Sequence, residues 1–68
     1  MRRFDGGHLR RARVARNMTR EQLASRTGKS FFSISAYESG RVTPSTPALA
    51  AIADALDCPL DDLFGGTE

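Results

Sequence analysis

The sequence predicts an all-α fold, a single small domain of five short helices. Three observations carry that prediction. The chain has 68 residues, close to the lower size at which a core holds without disulfides or metal. Leu, Ile, Val and Phe number only 14 against nine alanines, which suits a small cluster of closely packed helices. Apolar residues recur at helical spacing, with almost no β-branched alternation.

Asp5 is placed to cap a first helix, but Gly6 and Gly7 weaken its start, so the helix is expected from His8 to about Arg16. Leu9, Ala12, Arg13 and Arg16 share one stripe, and Asn17 is a stop that tolerates the left-handed conformation. Thr19 and Gln22 then form a T-x-x-Q capping box, with Met18 and Leu23 at the two positions of a hydrophobic staple. A second helix from Arg20 follows, ended after two turns by Gly28. Ser30 caps a third helix running to about Ser39, with Gly40 just past its end.

VTPSTP (42–47) cannot be helical and is expected as an ordered loop. Thr46 as cap and Pro47 as first residue restart the chain. Leu49, Ile52, Ala53 and Leu56 give the fourth helix one apolar stripe. Asp57 turns the chain, and PLDDLF forms a short fifth helix presenting Leu60, Leu63 and Phe64. Residues 1–7 read as a basic N-terminal arm, 8–64 as the domain proper, and 65–68 (GGTE) as a loose C-terminal tail.

The net charge of +2 hides an asymmetry. Residues 1–41 hold all ten Lys and Arg against three acids, a net +7, whereas 42–68 hold five acids and no base, a net −5. A positive field over the first forty-one residues favours a polyanionic partner; a solvated basic face is the plainer alternative. Cys58 alone cannot form an internal disulfide, and no apolar run approaches the ~18 residues of a membrane span. A soluble, cytoplasmic protein is the default reading.

A two-turn helix, a glycine turn and a second short helix inside a basic segment suggest a helix-turn-helix. From Leu9 to Phe64 the chain resembles the Cro-type (xenobiotic-response-element, XRE) helix-turn-helix family, the lambda-repressor-like DNA-binding domains. The pieces that carry the likeness are T-x-x-Q-L-A, the glycine turn, I-S-x-Y-E-x-G, the proline after that glycine, and A-x-A-L…L-D-D-L. The resemblance implies a compact five-helix lambda-repressor-like domain binding double-stranded DNA as a transcriptional regulator. Its third helix would lie in the major groove, and its second would cross above with the N-terminus on a phosphate.

Carried onto this chain, the likeness assigns base reading to Ser30, Phe31, Phe32, Ser35 and Ala36, and phosphate contacts to Arg20, Lys29, Arg41 and Thr43. It also implies a structural ion pair between Arg13 and Glu38, locking the first helix to the third. None of the base-reading positions holds the bidentate donors that Arg, Asn or Gln use on purines. Phe and Ala offer apolar contact with the thymine C5-methyl instead, and DNA shape would supply the rest. A second possibility stays open, because relatives carry aliphatic residues where this chain has Thr27 and Lys29: one phenylalanine could fold back to fill that gap. A module this small covers little DNA, so a homodimer on half-sites about one helical turn apart is expected. Leu60, Leu63 and Phe64 are then either its interface or part of the core.

The rival function is a protein-interaction module using Phe31 and Phe32 as an aromatic anchor. His8 lacks companions at metal-ligand spacing, Cys58 reads as core, and Asp61 and Asp62 are adjacent rather than convergent. No nucleophile–base set and no phosphate-cradling glycine loop is present, so no enzyme, metal or cofactor is expected.

Overall fold

The computed structural model describes residues 2–66. The order is β1 (Arg3–Phe4), α1 (Gly6–Ala15), α2 (Arg20–Thr27), α3 (Phe31–Ser39), α4 (Thr46–Leu56), a 3₁₀ turn (Leu60–Leu63) and β2 (Phe64–Gly65). There are four α-helices among the described residues, one fewer than expected. The fifth segment is a single 3₁₀ turn because Phe64 leaves it in an extended conformation, with ψ of 143°, to pair with β1.

The caps explain where the helices start. Thr19 Oγ1 accepts from the Gln22 amide at 3.0 Å and Gln22 returns the bond to the Thr19 amide at 2.8 Å, the full capping box. Gly28 and Gly40 close α2 and α3 with φ of 72° and 81°, a region in which a Cβ is strained. Asn17 and Asp57 take the same left-handed turn at φ of 55° and 52°, using the tolerance that short polar side chains have there.

Two starts differ from expectation. Helix α1 begins at Gly6 rather than His8, because Asp5 Oδ1 accepts from the Gly7 and His8 amides at 2.8 and 3.2 Å. Gly6 is no defect in the helix. A Cβ there would lie 2.4 Å from the Tyr37 carbonyl oxygen and 2.5 Å from that of Glu38, so only glycine lets α1 come this close to α3. Helix α4 is capped by Ser45, one residue before the expected Thr46, with Pro47 still inside the first turn where a missing N–H costs nothing.

The termini are tied together. Arg3 faces Gly65 and Phe4 faces Phe64 in an antiparallel pair, which anchors this part of the basic arm. The Arg2 guanidinium adds bonds to the carbonyls of Asp61 at 2.8 Å and Phe64 at 3.3 Å. Gly65, expected in the tail, belongs to this pair, while Thr67 and Glu68 lie outside the described residues.

Leu9, Leu23, Ile34, Ile52, Leu56 and Leu63 are wholly buried and form the centre of the core, with Tyr37, Leu49 and Ala53 around them. Phe4, Met18, Cys58 and Phe64 pack against its rim. Leu63 is therefore a core residue and not a free dimer contact, and Phe64 is only partly accessible. The apolar stripe of α4 needs cover at its C-terminal end, and Leu63 supplies it. Burial pushes the Cys58 thiol up, away from the reactive thiolate form.

Candidate nucleic-acid interface

Helix α3 turns Ile34 and Tyr37 inward, and at 100° per residue this sends Phe32, Ala36 and Ser39 outward. Phe32 is 79% exposed, and Phe31, at 36%, stands beside it with the rings edge to face, centroids 5.7 Å apart at 82°. Neither ring joins the core, so the gap beside Thr27 and Lys29 is not filled by a phenylalanine. The Thr27 hydroxyl instead donates back to the Leu23 carbonyl at 2.9 Å. Phe31 lines an open groove with Arg13, Val14, Met18 and Arg20, at the junction of α1, α2 and α3.

The polar side chains of α3 are mostly engaged within the protein. Ser30 Oγ accepts the Ser33 amide at 3.0 Å as the cap and donates to Ser33 Oγ at 3.1 Å. Its hydroxyl proton is thereby engaged within the protein, although the side chain stays exposed. Ser39 Oγ donates to the Ala36 carbonyl and accepts from Arg41 Nε, both at 3.1 Å. Ser35 and Ala36, in mid-helix, are half-buried.

Beneath this surface lies a charge cluster. Glu38, whose side chain is 3% exposed, accepts from Arg13 Nε at 2.5 Å and Arg13 Nη2 at 3.2 Å, a bidentate pair. Arg13 Nη1 also donates to the Met18 carbonyl at 2.7 Å, so one guanidinium ties α1 to α3 and to the turn before α2. The second partner of Glu38 is Arg20, whose Nε donates to Oε1 at 3.0 Å. Arg20 was expected on a phosphate alone. Its side chain is 40% exposed, so it both shares the buried carboxylate and shows part of its fork to solvent at the N-terminus of α2.

Lys29 is half-buried in the turn, whereas Arg41 and Thr43 are exposed beyond α3. The acids Asp54, Asp57, Asp61 and Asp62 are all exposed, on α4 and the segment after it. The one acid in α3 is Glu38, covered by two arginines, so the outward face of that helix carries no free negative charge.

Three structural residues escaped the sequence reading. Arg16 donates through Nε to the Leu56 carbonyl and through Nη2 to that of Asp57 at 3.2 Å, capping the end of α4. Nothing in the sequence marks a contact spanning forty residues. Arg2 and Gly6 were equally hidden, although a glycine opening a helix costs enough to suggest a reason for its presence. His8 Nδ1 lies 3.3 Å from Asp5 Oδ2, a charge pair when the imidazole is protonated. Among the described residues no three His, Cys, Asp or Glu converge as metal ligands.

Two short helices joined by a left-handed glycine, the second exposing one face and the first offering its amides beside an arginine, define a helix-turn-helix domain. Residues 9–63 match the helix-turn-helix family, and the chain belongs to it. It is 42% identical over 57 residues to the cryptic phage CTXphi transcriptional repressor RstR of Vibrio cholerae serotype O1, covering 84% of this chain and 51% of that protein. It is 41% identical over 63 residues to an uncharacterized transcriptional regulator in the ATPase CF(0) region of Rhodospirillum rubrum, covering 93% and 58%. The chain thus spans little more than half the length of these curated relatives. The P22 c2 repressor protein, solved in complex with a synthetic operator, superposes with a TM-score of 0.82 at 28% identity over 90% of this chain and 92% of that one.

Proposed function

We propose that this chain is the double-stranded-DNA-binding part of a transcriptional regulator. Helix α3 enters the major groove and reads sequence, while basic groups hold the backbone. One observation carries the reading: the outward face of α3 is solvent-accessible and free of acids, in a fold shared over nine-tenths of the chain with a repressor solved on its operator.

The amides at the N-terminus of α2 and the exposed part of Arg20 form the main phosphate grip, with Lys29, Arg41 and Thr43 flanking it. Phe31, Phe32 and Ala36 contact thymine methyls, Ser35 adds a hydroxyl at the edge, and sequence-dependent shape supplies the remaining selectivity. Two copies bind together on half-sites about one helical turn apart. Leu60, 42% exposed, is the apolar residue left for that contact once Leu63 is assigned to the core.

Enrichment from a random DNA pool tests the whole reading, because it yields sequence, symmetry and spacing together. Affinity for the recovered duplex is expected to fall steeply with salt, and Arg20→Ala to weaken all sequences alike while lowering the salt slope by about 1. The exposed aromatic pair also suits a protein partner. A complete lack of salt-dependent DNA binding would favour that second reading.

A further inference from the structure

We propose that α3 recognises the C5-methyl group of a pyrimidine rather than the base that bears it, so that 5-methylcytosine substitutes for thymine in the bound site. Cytosine methylation then controls where the protein binds. The inference rests on the DNA-binding reading above and deepens it by naming the chemical group recognised.

The argument begins with what α3 lacks. Thymine presents a C5-methyl and the O4 acceptor in the major groove, whereas cytosine presents the N4 amino donor and a bare C5. 5-Methylcytosine has the methyl of the first and the donor of the second. A reader carrying an amide, a carboxylate or a guanidinium separates thymine from 5-methylcytosine at O4 and N4. At the head of α3 stand two hydrocarbon rings and no such group. The hydroxyls on either side have their protons engaged within the protein: Ser30 caps the helix and donates to Ser33, and Ser39 donates to the Ala36 carbonyl and accepts from Arg41. The carboxylate of Glu38 faces inward under Arg13 and Arg20.

What remains accessible is carbon and the Ser35 hydroxyl, which can donate to O4 or accept from N4 and so does not separate the two bases. Phe32 projects 79% exposed, with Phe31 edge to face beside it at 5.7 Å, so two apolar rings share this face. Such a ring gains from covering a methyl whichever base carries it. One buried methyl corresponds to about a fourfold change in Kd.

The test uses the duplex recovered by enrichment, resynthesised at each fixed thymine facing α3 with deoxyuridine, with cytosine opposite guanine, or with 5-methylcytosine opposite guanine. Thymine to deoxyuridine removes only the methyl, and is expected to weaken binding about fourfold per position. Cytosine is expected to bind weakly, and 5-methylcytosine to recover most of the loss. Phe32→Ala, and separately Phe31→Ala, should erase the preference for methylated over unmethylated bases with the salt slope unchanged, and Phe32→Ala should also leave the thermal melt unchanged. Binding that ignores the methyl in both pairs would overturn the proposal and leave DNA recognition standing, now assigned to shape. Thymine preferred over deoxyuridine with 5-methylcytosine no better than cytosine would overturn it too, since polar edges would then be read. Failure to enrich any duplex, with no salt-dependent binding, would sink both this inference and the reading beneath it.

Discussion

Glu38 shows how a residue can matter for binding without touching DNA. Its carboxylate lies buried between Arg13 and Arg20, and deleting it strands the Arg13 charge with little water. Glu38→Ala is expected to lower stability by roughly 3–5 kcal/mol, read from urea melts. Arg13→Ala should do comparable harm, and the double variant should cost less than the two singles together, since each already breaks the same pair. Phe32 lies at the other extreme. It is mostly solvated, so Phe32→Ala should change stability by no more than about 0.5 kcal/mol while altering sequence preference. A large loss of stability from that substitution would place the ring in the core. Both arginine partners of Glu38 were named in the sequence reading, yet only the structure joins Arg20 to the carboxylate. Side-chain bonds between distant helices leave no periodicity to read.

At the scale of elements, the caps were legible because their chemistry is local. The T-x-x-Q box, the two glycine stops and the Asn17 and Asp57 turns all depend on residues within one helical turn. Thr19→Ala should therefore destabilise the protein by about 1 kcal/mol, seen as a lower urea midpoint at unchanged slope. Asp5 adds a pH dependence. The adjoining His8 side chain, then the amides of His8 and Gly7, hold its carboxyl below the usual carboxylate range. A folded value below the unfolded one means a contribution that is complete above the unfolded value, about 3.9, and is lost as pH falls through the folded one. Asp5→Asn should flatten the acid side of the thermal-stability profile and leave the neutral side parallel to wild type. What the local pattern missed was the fifth helix. Leu60, Leu63 and Phe64 have helical spacing, but Phe64 goes to the strand pair with Phe4.

For the whole molecule, the radius of gyration of 10.7 Å is that of one packed domain of this length. A core of so few large side chains has little reserve, rarely more than about 3–5 kcal/mol in total. Leu23→Ala, at a wholly buried site joining α2 to the rest, costs about 2–5 kcal/mol and is expected to leave much of the chain unfolded at 37 °C by circular dichroism. The charge asymmetry also becomes spatial at this scale. The basic half contributes α1, α2, α3 and the arginines around them, and the acids gather on α4 and the segment after it. Arg2, Arg11 and Arg16 share a groove with Asp61 and Asp62, so the contrast is between this mixed side and the α3 face, which has no uncovered acid.

By itself the sequence determined the four α-helices, most of their caps, the core stripes and the sign of charge on each half, because those follow from bonding and periodicity within a few residues. Tertiary structure alone decided which charges share a carboxylate, why Gly6 cannot carry a side chain, that the two ends are paired, and that Phe31 and Phe32 stay outside. The contacts among those join groups eighteen or more residues apart, where packing and not local preference sets the outcome.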